Sequence, residues 1–392
     1  MKYRAVVLAM SVAATSTVVA CLLPDTSAFT GGHAGDALSG VTDDGGNASS
    51  ASSTSSSGTT TSSSSTSSSG GPACTADLAS DVHNCGACGH DCRGSTCASG
   101  RCDTALVATV DGGGLTFGPV IGSGAIFFAE SSRLHRVSLS LSTRDQVATS
   151  DGVISIGYGG GAVVVGYPNT TSFDFFSADA LAKVGTNCCV STSRSHARPQ
   201  GAGFLSTIPA GGFIWCQRYT CSGLNMEGQE TFVSGQAGPY GIAIDDRYAF
   251  WTNRDNGKIM RKRLVASDAG DNGATAISIG EGTPAGISVD ADYVAWVTKE
   301  GNVVRARKDG TERTVLATTQ DGPESILLQD AYIYWTNAFA GTVNRLERTA
   351  AAGTAPTVLA QGTNKPWDLA VDATYLYWSE HVVGGRILRV AR

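Results

Sequence analysis

The sequence predicts an all-β fold built mainly from four-stranded repeats, and three observations predict it. A two-strand phrase recurs four times in the C-terminal half: Tyr240-Gly-Ile-Ala-Ile-Asp245 before Tyr248-Ala-Phe-Trp251-Thr-Asn253, Ala285-Gly-Ile-Ser-Val-Asp290 before Tyr293-Val-Ala-Trp296, Glu324-Ser-Ile-Leu-Leu328 before Tyr332-Ile-Tyr-Trp335-Thr-Asn337, and Trp367-Asp-Leu-Ala-Val-Asp372 before Tyr375-Leu-Tyr-Trp378-Ser-Glu380. Each is followed by a glycine turn and an alternating basic strand, as in Gly257-Lys-Ile-Met-Arg-Lys-Arg263, and then by a fourth strand such as Thr314-Val-Leu-Ala317 or Thr357-Val-Leu-Ala360. The composition agrees: 49 glycines and 16% charged residues among 392 suit short strands joined by tight turns. Four antiparallel strands per unit describe a β-propeller blade.

The N-terminal hundred residues have a different organisation. Lys2 and Arg4 precede a mostly apolar run from Ala5 to Val19, which reads as a secretory signal over residues 1–20 and is too short and too diluted with Ser and Thr for a membrane span. Val18-Val19-Ala20-Cys21 resembles the lipobox of bacterial lipoproteins, which implies acylation of Cys21 after cleavage. Leu22 and Leu23 follow in place of the Asp that favours inner-membrane retention in such lipoproteins, so the resemblance favours the outer membrane. From Ala48 to Gly71 the chain is almost wholly Ser, Thr and Gly, with nothing large enough to offset the entropy of ordering. Residues 21–73 therefore read as a disordered tether, with an r.m.s. reach of about 40 Å.

Residues 74–103 hold six cysteines, Cys74, Cys85, Cys88, Cys92, Cys97 and Cys102. A segment this small buries too little surface to fold on an apolar core, so disulfides are expected to replace it, with fifteen connectivities open. Zinc bound by Cys85, Cys88 and Cys92 with His83 or His90 is the competing reading, and an oxidising compartment favours disulfides over it. The phrase Asn84-Cys85-Gly86-Ala87-Cys88-Gly89 resembles a short Cys-rich module that recurs behind Ser/Thr tethers in exported lipoproteins of Gram-negative soil bacteria.

Residues 104–392 carry the repeats. Weaker units centre on Phe128, Val165 and Trp215, and with Trp251, Trp296, Trp335 and Trp378 they follow at steps of 37, 50, 36, 45, 39 and 43 residues. Seven blades give a mean near 41 residues and six about 48, so seven are expected, with the unit lacking Trp around Val165 the weakest. The chain ends after a third strand, Arg386-Ile-Leu-Arg-Val390, while Thr104-Ala-Leu-Val-Ala-Thr-Val110 before Asp111-Gly112 matches a fourth strand. The N-terminal strand is therefore expected to complete the last blade and leave no long edge unpaired. The Tyr-x-Tyr-Trp-Thr-Asn and Tyr-Leu-Tyr-Trp-Ser-Glu phrases resemble the YWTD repeat of low-density-lipoprotein-receptor propellers, although that family has six blades and an Asp where Asn253, Asn337 and Glu380 stand. Cys188, Cys189, Cys216 and Cys221 are expected to cross-pair as disulfides, because adjacent cysteines strain when paired with each other.

The repeated Trp and Tyr are assigned to packing between blades, and Asp245, Asp290 and Asp372 to capping turns. Functional residues are sought where blades differ, on the face that carries the fourth-to-first and second-to-third connections. Those channel-mouth candidates are Glu130, Tyr240, Asn253, Glu324, Asn337, Trp367 and Glu380. They suggest a monomeric binding module for an envelope protein or glycan, attached to the membrane through its lipid. A net charge of -6 gives no basic footprint for nucleic acid. The alternative is a calcium-dependent hydrolase of the propeller lactonase type, with Glu130, Asn253, Asn337 and Glu380 as ligands. Otherwise no cofactor is implied, and no nucleophile elbow, HExxH motif or phosphate loop supplies a catalytic residue.

Overall fold

The structure is a computed structural model that describes residues 76–159, 161–167, 173–187, 198–200, 203–208, 212–217, 229–264 and 273–392. Cys21, Cys74, Cys188, Cys189 and Cys221 lie outside these residues. So do the side chain of Cys216, the cross-pairing expected of the four late cysteines, and the tether. Among the described residues there is no helix, and the strands form seven four-stranded antiparallel sheets and one short hairpin. Sheets I to III begin with Thr116–Gly122, Ser155–Gly159 and Arg198–Gln200, and sheets IV to VII with Pro239–Ile244, Pro284–Val289, Pro323–Gln329 and Pro366–Val371. These first strands neighbour one another in sequence and the last returns to the first, so they line a closed ring. This is a β-propeller. The segment around Val165 forms a complete sheet, II, of Ser155–Gly159, Ala162–Gly166, Phe173–Ser177 and Lys183–Asn187.

Closure follows the expected route. Ala105–Thr109 pairs antiparallel with Arg386–Ala391 and becomes the outer strand of sheet VII. Beyond it, the Val110 amide donates to the carbonyl of Gly385.

The repeated tryptophans occupy one register. Trp251, Trp296, Trp335 and Trp378 each sit fourth in a second strand, opposite Ile242, Ile287, Ile326 and Leu369 of the strand before it, and all four are fully buried. A ring this size removes on the order of 150 to 250 Å² from water, so the four anchor the cores on which sheets IV to VII pack. Trp215 departs from the register: it lies on Gly212–Gln217, the third strand of sheet III. Spacing along the chain cannot reveal that a short strand, Arg198–Gln200, takes the inner place there.

The opposite face repeats a second device. Oδ1 of Asp245, Asp290 and Asp372 accepts two backbone amides of its own turn, as a capping carboxylate does. Oδ2 of Asp245 and Asp290 then pairs with Lys308 and Arg348 of the next sheet at 2.8 Å in both cases. One carboxylate thus closes a turn and ties two blades.

The Cys-rich segment joins Cys85 to Cys97 and Cys92 to Cys102. Cys88 is also disulfide-bonded, so none of these five thiols is left as a thiolate ligand for zinc. The segment is not a separate body from the propeller: residues 71–392 form one compact unit. Cys85, Cys92 and Cys102 join an apolar cluster with Leu359, Leu388, Val390 and Ala391 of sheets VI and VII, and Arg101 donates to Gln361. Six cysteines can stand in for an internal core partly because this module borrows one from its neighbour.

Replacing Cys92 and Cys102 together by Ala is therefore expected to lower the stability of the whole propeller by about 2 to 5 kcal/mol. Denaturant unfolding followed by tryptophan fluorescence, which reports the blades, measures this. An unchanged midpoint would show the module to be energetically separate.

Candidate binding site at the channel mouth

Four of the seven candidate residues prove to be structural clasps. Each ends a second strand and turns back to the connection that enters its own sheet. Glu130 accepts from the Gly112 amide at 2.6 Å, and Asn253 and Asn337 donate to Gln236 and Gln320 at 3.0 and 2.9 Å. Glu380 accepts from the Asn364 amide at 2.8 Å. All four are buried. Sheet II uses a related contact from one residue past its second strand, the Ser150 amide donating to Tyr167 at 3.3 Å. Trp251 and Trp335 add their indole N–H to the same glutamine oxygens at 2.9 Å each, so one side chain satisfies two donors. The residue type varies from sheet to sheet while the task repeats, which is why variation at this register does not mark a ligand site.

The clasps are occupied by their own blades. Arg386 grips both oxygens of Glu380 at 2.7 Å. Glu130 also takes a hydrogen bond from buried His135 at 3.1 Å; burial, together with nearby Arg144, holds that imidazole below its usual range, and it donates as a neutral ring. Sheet V has Glu281 at the connection. Its carboxylate receives Trp296 at 3.0 Å, Arg313 at 2.6 and 2.9 Å, and Ser278. Burial pushes its pKa up, but the hydrogen bonds from Arg313, Ser278 and Trp296 outweigh that and leave it below the usual carboxylate range.

A second relay lies nearer the axis. In sheets IV to VII the first strand bulges just after its proline. Thr252 accepts from the Gly241 amide in this bulge and donates to the Ala285 carbonyl of the next sheet, both at 2.9 Å. Thr336 does the same between Ser325 and Trp367, at 3.2 and 2.9 Å. Glycine is required where the bulges touch, since a Cβ on Gly241 or Gly286 would stand 2.5 or 2.4 Å from the next blade's carbonyl oxygen.

The bulges carry the other three candidates, and these do converge. The Tyr240 hydroxyl donates to Glu324 at 3.3 Å across two sheets, and Glu324 pairs with Lys299 of the sheet between them. Lys299 also lies 6.0 Å from the centre of the Trp367 ring. Trp367 stacks on His381 at 4.5 Å, and His381 hydrogen-bonds to the Thr116 carbonyl at 2.9 Å and meets the edge of Phe117. Asp368 accepts from the Gly118 amide at 3.1 Å, and Arg254 covers the Tyr240 ring at 3.6 Å. Burial and Glu324 push the Tyr240 hydroxyl well above the usual phenol range, so it stays protonated as a donor. Five of the sheets, IV to VII and I, thus meet in one polar and aromatic network.

Lys299, Arg254 and His381 were legible one residue further along. Each directly follows the residue that ends a second strand, namely Thr298, Asn253 and Glu380. Successive residues of an extended chain point to opposite sides, so the clasp faces its connection and the next residue faces the channel.

No protein-family model matches the chain, and no curated protein matches it. Among solved structures it is similar to virginiamycin B lyase from Staphylococcus aureus at 12% identity and a TM-score of 0.58, over 74% of this chain and 98% of that one. It is similar to U3-55K at 9% identity and 0.58, over 74% and 98%, and to the Cps50 (Swd1) β-propeller domain of Myceliophteria thermophila at 7% and 0.56, over 74% and 100%. The shared feature is the propeller. At such identities the likeness is one of fold alone.

Two outcomes are expected. Asn337→Ala removes the hydrogen bonds to Gln320 and Thr342, although Gln320 keeps that of Trp335, and should cost about 1 to 3 kcal/mol in denaturant unfolding, whereas Trp367→Ala, in a half-buried ring at the mouth, should cost less. Equal losses would contradict the division between clasp and mouth. For Glu281 the folded pKa lies below the unfolded one, so its stabilisation is present above the unfolded value of about 4.3 and is lost as pH falls through the folded value. The stability gap between wild type and Glu281→Gln should therefore shrink progressively as pH falls below about 5. A gap constant with pH would refute the assignment.

Proposed function

We propose that this chain is an exported, lipid-anchored binding protein that presents the mouth face of a seven-bladed propeller to a protein partner at the cell envelope. The observation that carries this reading is an apolar arc beside the network just described. Phe339, Val383 and Leu115 lie 75%, 65% and 42% exposed on mouth-face connections of the successive sheets VI, VII and I, Val383 on the same connection as half-buried His381. Exposed apolar side chains on one face of successive blades are the composition of a protein-docking surface more than of a sugar groove, which needs an open ring face. Here Trp367 has His381 stacked on it.

Export is supported by the Cys85–Cys97 and Cys92–Cys102 disulfides, which persist in an oxidising compartment, and by the signal-like N-terminus. The lipid rests on Val18-Val19-Ala20-Cys21 and on the tether behind it, which would let the propeller stand off a bilayer. Seven blades are supported by the seven sheets and by the closed circuit of their first strands.

The test is a crosslinking comparison in the producing cell with a photoreactive residue at Phe339. A discrete protein adduct is expected, lost in Trp367→Ala and retained in a control altered at exposed Glu312 on the opposite face. Adducts equally abundant in both variants, or none, would remove the docking reading. In the same cells Cys21→Ser should move the chain from the membrane fraction to the soluble fraction, and a chain that stays with the membrane would overturn the lipid anchor.

A further inference from the structure

A second site lies away from the mouth, at the seam between the Cys-rich module and sheets VI and VII. A cleft of about 230 Å³ opens there, lined by Asp91, Arg93, Asp330, Tyr332, Tyr334 and Arg392 among others. Its acids are already engaged. Asp91 accepts from the Arg93 amide at 2.7 Å and pairs with His83 at 3.1 Å, while Asp330 pairs with Arg392.

Two donors are left over. The exposed Arg93 guanidinium makes no hydrogen bond or ion pair among the described residues, although its charge helps to hold the Asp91 carboxyl low and its carbonyl accepts from Tyr375. The Tyr334 hydroxyl is fully buried and also without a partner among the described residues. Its position explains the vacancy. The equivalent tyrosine of sheet VII, Tyr377, donates to Asp372 at 2.8 Å. In sheet VI Gln329 stands where that aspartate would be, and Asp330, one residue later, adopts a φ of 53° and turns to Arg392. An unpartnered buried hydroxyl costs on the order of 1 to 3 kcal/mol, a deficit that an acceptor from outside the chain removes.

We propose that this cleft binds the oxyanion of a small molecule, a carboxylate or a phosphate, which accepts from the Tyr334 hydroxyl and pairs with Arg93. The volume holds a small metabolite rather than a polymer. The module contributes the cation and the propeller the buried donor, so the site exists only where the two meet. A charge-assisted hydrogen bond from guanidinium is strong enough for such a ligand to be held by these two contacts.

Calorimetric titration of the purified, oxidised full chain tests this with inorganic phosphate and, separately, malonate. Saturable binding of at least one is expected, and the preferred probe distinguishes phosphate from carboxylate. Arg93→Ala should weaken it by about tenfold or more. Tyr334→Phe should weaken it while leaving the unliganded protein as stable as wild type or more so, because the substitution removes an unsatisfied group. Arg307→Ala, at a half-buried arginine paired with Glu312 away from the cleft, should change nothing. Absence of saturable binding by either anion up to on the order of 10 mM would overturn the proposal. So would an affinity that survives Arg93→Ala, or one that falls as far in Arg307→Ala.

Discussion

The fold depends on a small polar contact made over and over: the residue that ends a second strand holds the connection by which the chain enters that blade. Without it, the amides of Gly112, Ser150 and Asn364 and the side chains of Gln236 and Gln320 would each lose a partner at their crossing. Such groups cost more unmade than they give when made. The contact uses a carboxylate in sheets I and VII, an amide in IV and VI, and in II a phenol one residue past the strand. Chemistry that differs but geometry that does not is what a ring of repeats permits, since each blade need only satisfy its own connection.

Fixing the connections also decides which side chains are left to face the channel. With the clasps turned outward to the loops, the residues on either side of them, on the bulges and just past the strand ends, are left facing the channel. Tyr240, Glu324 and Trp367 meet Lys299 and His381 there because five sheets bring their bulges to a common axis. The threonine relay ties the bulges of sheets IV and V and those of sheets VI and VII, so the mouth is built from several blades rather than from a set of loops.

Much of the fold was legible because strand alternation and tandem repetition write the same message several times. The packing of Trp251, Trp296, Trp335 and Trp378, the turn-capping Asp245, Asp290 and Asp372, and the closing strand Ala105–Thr109 all follow from patterns that recur. Sheet III resisted, since Trp215 shares the spacing of the others and not their strand. The site was legible only in part. Variation between blades drew attention to Glu130, Asn253, Asn337 and Glu380, yet their shared task is invisible without the glutamine, amide or arginine that each one meets. The union of the Cys-rich module with sheets VI and VII left no mark in the sequence, because it is made of contacts between segments about 260 residues apart, such as that of Arg101 with Gln361.

Hydrogen exchange of the full chain, resolved to single amides, tests the clasp-and-relay account most directly. The amides of Gly112, Gly241, Ser325 and Asn364 are each held by a side chain on or ending a second strand. If those contacts lock the blades, these four should exchange only through global unfolding, with the same free energy of opening as the core strands. Local opening of any of them while the amides of Trp251 and Trp335 stay protected would contradict it.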